Sequence, residues 1–88
     1  MEYEITHYPE KKRFEIKLEG VTAFVQYRLR DGKLDIIHTI VPPLIEGRGV
    51  AAALVKYAYD YALANGMKPQ ATCSYAVTWL HRHPDYVQ

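Results

Sequence analysis

The sequence predicts an α+β domain with a mostly antiparallel sheet of about five strands, a long central helix and a short C-terminal helix. Two observations carry this prediction. Segments rich in β-branched and aromatic residues, joined by short turns, fill the first half of the chain. A stretch with the apolar spacing of a helix then begins near residue 50. With 88 residues, 49% of them hydrophobic, the chain should form one domain over residues 1–88 with a buried core.

The first four predicted strands are separated by turn signals. They cover residues 3–8, 13–18, 21–30 and 33–41. The pairs Glu19-Gly20 and Asp31-Gly32 favour hairpin turns, so consecutive strands should pair as an antiparallel meander. Pro42, the first of two prolines, ends the fourth strand because proline cannot donate a ladder hydrogen bond.

The central helix is predicted from Val50 to the pair Asn65-Gly66, where Gly66 suits the left-handed position that ends a helix. Its apolar positions recur every three or four residues and define one predicted buried face: Val50, Leu54, Tyr57, Ala58, Tyr61 and Ala62. The chain should then cross to a short fifth strand over residues 70–73, beside the fourth. A second helix is expected from Ser74 or Tyr75 to His81, ending before Pro84.

A glycine-bearing loop leads into the central helix. Gly47 and Gly49 let the backbone come close to a ligand, and the helix start presents unpaired N–H groups at the positive end of its dipole. Such a place binds anions, most often phosphate. The run G-R-G is neither a dinucleotide fingerprint nor an NTPase phosphate loop, so a plain turn is the other interpretation.

Composition and charge limit the classes of partner. The formal net charge of +1 argues against a nucleic-acid or membrane binder that works mainly by electrostatics. No apolar run approaches the roughly 18 residues of a membrane span, and the N-terminus lacks the regions of a signal peptide. The single cysteine, Cys73, excludes an internal disulfide and fits a reducing compartment. We therefore expect a cytoplasmic protein, a monomer or weak homodimer, without nucleic-acid or membrane partners.

The stretch from the fourth strand into the helix reads V-P-P-L-I-E-G-R-G-V-A-A-A-L-V. It resembles motif A of the GNAT superfamily of N-acetyltransferases, in which a [QR]-x-x-G-x-[GA] segment wraps the pyrophosphate of acetyl-CoA. Further matches are H-T-x-V-P before the loop, T-C-S-Y after the fifth strand and R-H-P-D-Y near the end. Together they make nearly the whole chain similar to the small, single-domain YjdJ-like branch. The resemblance implies a GNAT-like fold and an N-acyltransferase.

The resemblance also implies a reaction and a cofactor site. Acetyl-CoA would be the co-substrate, and the acceptor would be an amine of a small molecule or a protein. The residues implied to hold its pyrophosphate are Glu46, Gly47, Arg48, Gly49, Val50 and Ala51. The pantetheine arm would pair with the main chain at Ile40 and Val41, and a main-chain N–H near a strand bulge would stabilise the oxyanion.

Two departures from the family pattern affect this expectation. Glu46 stands where the superfamily has Arg or Gln, and a carboxylate beside a pyrophosphate is unfavourable unless it points away. Arg48 could supply the missing positive charge. A hairpin also replaces the helical pair that covers the acceptor site of larger relatives, which predicts an open acceptor side.

Cys73 and His38 are the candidate catalytic residues. Cys73 should lie at the end of the fifth strand, beside the thioester, and could be a nucleophile, a thiol that lines the acetyl pocket or a small buried hydrophobe. Its pKa could be lowered by the helix start that follows. His38 shares a predicted strand face with Leu34, Ile36 and Ile40 and could deprotonate the acceptor or be structural.

Three alternatives remain open at this stage. Transfer could proceed by direct attack in a ternary complex or through an acyl-Cys73 intermediate. A non-catalytic module that binds CoA or a protein partner on the same fold is the rival class, since fold does not imply activity. No metal site is predicted, because the spacing C-x7-H-x-H of Cys73, His81 and His83 matches no common zinc pattern.

Overall fold

A computed structural model of the chain describes residues 3–87. That part of the chain forms one five-stranded sheet in the order β1-β2-β3-β4-β5. The strands are β1 (Thr6–Tyr8), β2 (Arg13–Leu18), β3 (Val21–Arg30), β4 (Lys33–Ile40) and β5 (Lys68–Ala71). The first four pair antiparallel, and β5 pairs parallel with β4. The predicted α+β architecture is confirmed.

Two helices pack against one face of this sheet. Helix α1 (Val50–Ala64) connects β4 to β5, and α2 (Ser74–Arg82) follows β5. Short 3-10 helices span Pro43–Ile45 before α1 and Pro84–Val87 after α2. Gly66 has the predicted left-handed conformation, with a φ of 74°, and turns the chain from α1 towards β5.

The core fills the space between the helices and the sheet. Its buried apolar residues come from every layer: Phe14, Ile16, Ala23, Val25, Tyr27, Leu34, Ile36, Ile45, Val50, Leu54, Val55, Ala58, Tyr59, Ala62, Ala76, Trp79 and Leu80. Tyr59 is fully buried, and its hydroxyl donates a 2.6 Å hydrogen bond to the carbonyl of Gln70. The phenol therefore fixes α1 against β5 without leaving a buried polar group unpaired.

Four of the six residues predicted for the buried face of α1 are buried, and the prediction is wrong at the other two. Tyr57 is 46% exposed and Tyr61 is half-buried, whereas Val55 and Tyr59 are buried. The reason is α2, which packs beside α1 with the rings of Tyr59 and Trp79 5.8 Å apart. The apolar periodicity predicts the position of the helix but not how many neighbouring elements cover it. The predicted buried face is therefore shifted to one side of the observed one.

The two outer strands are shorter or shifted relative to prediction. Strand β1 begins at Thr6 rather than residue 3, and the Tyr3 hydroxyl instead donates to the carbonyl of Arg48. Strand β5 covers Lys68–Ala71 rather than residues 70–73. It ends there because the N–H groups of Thr72 and Cys73 both donate to the Ile36 carbonyl, which turns the chain out of the ladder.

A bulge interrupts β4 at Ile37. Gln26 pairs with His38 but the next residue of β3, Tyr27, pairs with Ile36, so Ile37 has no partner. The extra residue reverses the faces of the side chains beyond it. Thr39 faces the helices, and His38 is exposed on the open face of the sheet. The prediction that His38 shares a face with Ile36 is therefore wrong, because strict alternation does not hold across a bulge.

Candidate functional site

A cavity of about 450 Å³ lies beside the end of β4, above the loop that enters α1. It is lined by the end of β4, this loop, the first turn of α1 and one residue of α2: Thr39, Val41, Ile45, Glu46, Gly47, Gly49, Val50, Ala51, Ala52 and Tyr75. Segments far apart in sequence thus meet around one open space. A concave site with a few polar groups is the ordinary form of a small-molecule site.

Strands β4 and β5 part beside this cavity. Their parallel pairing runs from Lys33 and Lys68 to Ile36 and Ala71, while β4 continues over residues 37–40. Within the described residues, β4 has no strand beside this continuation on the β5 side. No strand of the described residues therefore occupies this edge, although the main chain of Thr39 hydrogen-bonds to Cys73, and an extended ligand could add here by the hydrogen bonding of a sheet.

The two loop glycines are required by their backbone conformation. Gly47 and Gly49 have φ angles of 78° and 73°, in the left-handed region that favours glycine. Apart from its chain neighbours, a Cβ added at either position would meet no atom of residues 3–87 within 4 Å. Internal packing therefore does not demand glycine here. A side chain at Gly49 would instead project into open space at a residue that lines the cavity.

The start of α1 lacks a cap among the described residues. Gly49 is the N-cap residue, no side chain hydrogen-bonds to the first turn, and that turn contains no acidic residue. Ala53 donates the first intrahelical bond, 3.0 Å to the Gly49 carbonyl. The N–H groups of Val50, Ala51 and Ala52 precede it, and these three residues line the same cavity. This end of the helix can therefore bind an anion.

Six of the eight predicted cofactor-binding residues line the cavity. They are Val41, Glu46, Gly47, Gly49, Val50 and Ala51. The other two, Ile40 and Arg48, lie outside the lining. Ile40 faces the open side of the sheet, as His38 does, because of the bulge.

Arg48 has partners away from the cavity. Its Nη1 lies 3.1 Å from the Glu19 carboxylate, in the turn between β2 and β3, and its carbonyl accepts a hydrogen bond from Tyr3. Arg48 thus connects the loop to its neighbours. This placement does not match the expectation that its guanidinium offsets the carboxylate of Glu46 beside a phosphate.

Cys73 lies at the border of the cavity. It is the N-cap residue of α2, and its Sγ is 3.5 Å from Oγ1 of Thr39, a lining residue. Burial by itself raises the pKa of the thiol, but hydrogen bonding with the hydroxyl and main chain of Thr39 and with the backbone N–H groups of Ala76 and Tyr75 outweighs it. The pKa therefore lies below its ordinary value of 9.0, which favours the reactive thiolate.

The structure does not bring His38 to the cavity. Its side chain is exposed on the open face, whereas Cys73 contacts Thr39 on the face that the helices cover. The two predicted catalytic residues thus lie on opposite sides of the sheet. A role for His38 as a base stays a prediction, and it would require an acceptor that approaches from the open face.

Three residues near the site are not identified as site residues by the sequence patterns. Thr39 and Tyr75 line the cavity, although both lie inside the motifs H-T-x-V-P and T-C-S-Y. Asp35 is buried and hydrogen-bonds to Thr72, the residue before Cys73, and the signal that could have identified it is a lone acid within the apolar run L-D-I-I. In residues 3–87, no group of three or more His, Cys, Asp and Glu side chains is placed to hold a metal ion.

No helix in the described part of the chain has the length and apolar character needed to cross a membrane.

Comparisons with known proteins identify related sequences and a related fold. A family model described as GCN5-related N-acetyl-transferase matches residues 13–88. Protein NATD1 of Xenopus tropicalis is 30% identical over 83 residues, which cover 91% of this chain and 76% of the relative. Protein NATD1 of Danio rerio is 30% identical over 89 residues, covering 96% and 81%. The solution NMR structure of a GCN5-like protein from Staphylococcus aureus superposes with a TM-score of 0.74 and 31% identity, covering 96% of this chain and 83% of that one.

Proposed function

Because the chain belongs to the GCN5-related N-acetyltransferase family, we propose that it moves an acetyl group from acetyl-CoA to an amine. One observation carries the proposal. An uncapped helix start, two left-handed glycines and a free strand edge meet around a single cavity. A pyrophosphate joined to an extended amide-bearing arm is the ligand that uses both the helix start and the strand edge.

The pyrophosphate binds the loop in this proposal. Backbone N–H groups at the start of α1, from Val50 and Ala51, donate to its oxygens, and the dipole of the helix favours its negative charge. Gly47 and Gly49 leave room for its approach. Glu46 is exposed, so its carboxylate can stay in solvent while its main chain lines the site.

The pantetheine arm follows the free edge of β4. Main-chain groups of Ile40 and Val41 pair with its amides, which directs the thioester towards Thr39 and Cys73. Tyr75 lines the same cavity and is 40% exposed. The reacting carbonyl would then lie near the bulge at Ile37, where a main-chain N–H can stabilise the oxyanion.

Two routes lead from this complex to the product. In direct transfer, the amine nitrogen attacks the thioester carbonyl, the carbon–sulfur bond breaks, and CoA leaves as a thiolate that takes up a proton. In the covalent route, the Cys73 thiolate attacks first and displaces CoA, and the amine then displaces Cys73. The lowered pKa of the thiol supports the covalent route. The open face that bears His38 supports direct transfer to an amine arriving from that side.

A non-catalytic CoA-binding module is the second candidate. The observation in its favour is the position of His38, which leaves the cavity without the predicted base. A protein-interaction module on the same fold belongs to the same class. Both would retain the cavity while the transfer chemistry is lost.

The acceptor in this proposal is an amine of a small molecule or of a protein, and the open face of the sheet would admit either. The unpaired Cys73 supports a cytoplasmic location. A monomer or weak homodimer, and membership of the YjdJ-like branch, stay predictions.

Release of CoA measures the reaction directly. The protein is incubated with acetyl-CoA and a panel of primary amines, including polyamines and lysine peptides, and the free thiol of CoA is followed with a colorimetric reagent. Amine-dependent release above the rate without protein supports the transferase. Binding of acetyl-CoA without release, with every amine and with no acetyl adduct on the protein, would replace it with the non-catalytic module.

A further inference from the structure

Asp35 is a buried acid in an otherwise apolar part of β4. The residue is 1% exposed, between the core residues Leu34 and Ile36. Two partners hold its carboxylate. Arg28 Nε lies 2.9 Å from one oxygen, and the Thr72 hydroxyl lies 2.9 Å and 3.1 Å from the two oxygens. A buried carboxylate is costly unless it is paired in this way.

The partner Thr72 stands directly before Cys73. Its N–H and that of Cys73 both donate to the Ile36 carbonyl, at 3.0 Å and 3.1 Å. The turn that leaves β5 is therefore held at two adjacent points of β4, by the side chain of Asp35 and by the main chain of Ile36. Cys73 follows immediately, and its Sγ reaches Thr39 beyond the bulge.

Burying the Asp35 carboxylate against Arg28, whose side chain is 48% exposed, is a poor device for stability alone. Its desolvation cost often exceeds the electrostatic gain, and apolar residues of similar volume can serve as well or better. Its better-attested use is to fix one arrangement of the chain. The arrangement fixed here is the turn between β5 and α2, which lies beside the proposed site of acyl transfer.

We infer that Asp35, held by Arg28, is a positioning residue that acts through Thr72 to place Cys73 at the border of the cavity. The inference rests on the proposed function, because Cys73 has a task only if the thioester reaches it. The geometry provides a single connected path: carboxylate to Thr72 hydroxyl, Thr72 to Cys73 along the chain, and Cys73 Sγ to Thr39.

This placement has a chemical consequence for the thiol. The hydrogen bonds that reach Cys73 come from Thr39 and from the first turn of α2, and each depends on where the turn holds the sulfur. Tyr59 and Tyr75 are titratable groups close to Cys73, and burial is the main cause that raises the pKa of each, so both stay neutral. Release of the turn should therefore weaken the donors and make the thiol less acidic.

Three variants test the inference on the intact chain. Thr72→Val removes the hydroxyl with little change of shape, Thr72→Ser keeps it, and Asp35→Asn removes the charge. The readout is the rate of alkylation by iodoacetamide across pH 6 to 10, which reports only Cys73 because the chain has one cysteine. Thr72→Val and Asp35→Asn should be alkylated roughly fivefold more slowly than wild type at pH 7, with the midpoint moved to higher pH. Thr72→Ser should match wild type.

A matched control separates positioning from general loss of stability. Tyr86→Phe removes the 2.7 Å hydrogen bond to Asp60, which also joins two segments but does not touch the turn. It should leave the alkylation profile within about twofold of wild type. An unchanged profile in folded Thr72→Val, or an equal change in Tyr86→Phe, would overturn the inference.

The alkylation experiment tests the positioning role of Asp35 independently of the proposed function. Alkylation requires neither acetyl-CoA nor an amine, so the profile can respond to Thr72→Val in a protein that transfers nothing. That result would retain the positioning role of Asp35 and reject the transferase. If Asp35→Asn fails to fold, the pair of Thr72 variants decides the question alone.

Discussion

The sulfur of Cys73 lies 3.5 Å from the hydroxyl of Thr39, next to the gap where β4 and β5 part. This contact exists because of the bulge at Ile37, which turns Thr39 towards the helices and His38 away from them. It joins the only thiol of the chain to the wall of the cavity. The first prediction follows from this pair.

Thr39→Val should raise the pKa of Cys73. The Thr39 hydroxyl is one of the donors that hold this pKa below its ordinary value of 9.0, and valine keeps the shape without the donor. The thiolate fraction at pH 7 should fall, and alkylation should slow accordingly. Thr39→Ser is the control and should keep the wild-type profile. Equal rates in Thr39→Val and wild type would show that the hydroxyl has no influence on the thiol.

The covalent route makes a prediction for Cys73 itself. Incubation with acetyl-CoA without an acceptor should leave one acetyl group on Cys73, visible in the intact mass. Cys73→Ser should lose nearly all turnover while still binding acetyl-CoA, because a serine hydroxyl is a poor nucleophile without a dedicated base. If transfer is direct, no adduct forms and Cys73→Ala keeps most of the activity. The Cys73→Ala variant then loses only the stability that comes from packing, because Cys73 is partly buried against the core.

Arg48 should matter little for cofactor affinity. Its guanidinium is paired with Glu19, and the residue does not line the cavity, so Arg48→Gln should change acetyl-CoA affinity less than about threefold. The matched variant Glu19→Gln breaks the same exposed ion pair. Each of the two variants should lower the free energy of unfolding by at most about 1 kcal/mol. A large loss of affinity at low salt, absent with pantetheine lacking phosphates, would show that the side chain leaves Glu19 to bind the pyrophosphate.

His7 should make stability depend on pH. Its ring stacks on Phe14 with centroids 4.1 Å apart, and its Nε2 lies 2.6 Å from the Tyr27 hydroxyl. Burial lowers the pKa of His7 below its ordinary value of 6.5, and the charge of Glu10 only partly opposes this. The unfolded chain therefore binds the proton more readily, and stability should fall as the pH drops through 6.5 towards the folded pKa.

The measurement is the urea midpoint at pH 7.5 and pH 5.5. His7→Phe removes this titration and keeps an aromatic ring against Phe14. The variant should lose less stability than wild type on acidification. An identical loss in both would assign the pH dependence to other groups.

Much of the fold was predictable because it is encoded locally. The pairs Glu19-Gly20 and Asp31-Gly32 fix the two hairpins, and helical spacing together with Gly66 fixes α1. The glycine-bearing loop before α1 was predictable for the same reason, since its glycines are followed directly by a helix.

The features that could not be predicted depend on contacts between segments that are distant along the chain. The bulge at Ile37 arises from the register of β4 on β3 and reverses the expected faces of His38 and Thr39. The burial of Tyr59 in place of Tyr57 depends on α2. Neither can be read from periodicity, which treats each element as if its neighbours were absent.

Calorimetric titration of two glycine variants measures whether acetyl-CoA binds the loop before α1. Gly49→Ala and Gly32→Ala introduce the same Cβ at φ angles of 73° and 74°, each with no atom of residues 3–87 within 4 Å apart from its chain neighbours. Both should lose about 1–2 kcal/mol of stability from backbone strain. We predict that Gly32→Ala binds acetyl-CoA as wild type does, whereas Gly49→Ala binds it at least about tenfold more weakly, the ratio that 1.4 kcal/mol produces. Equal affinity of both folded variants, or no binding by wild type, would show that acetyl-CoA does not bind this loop.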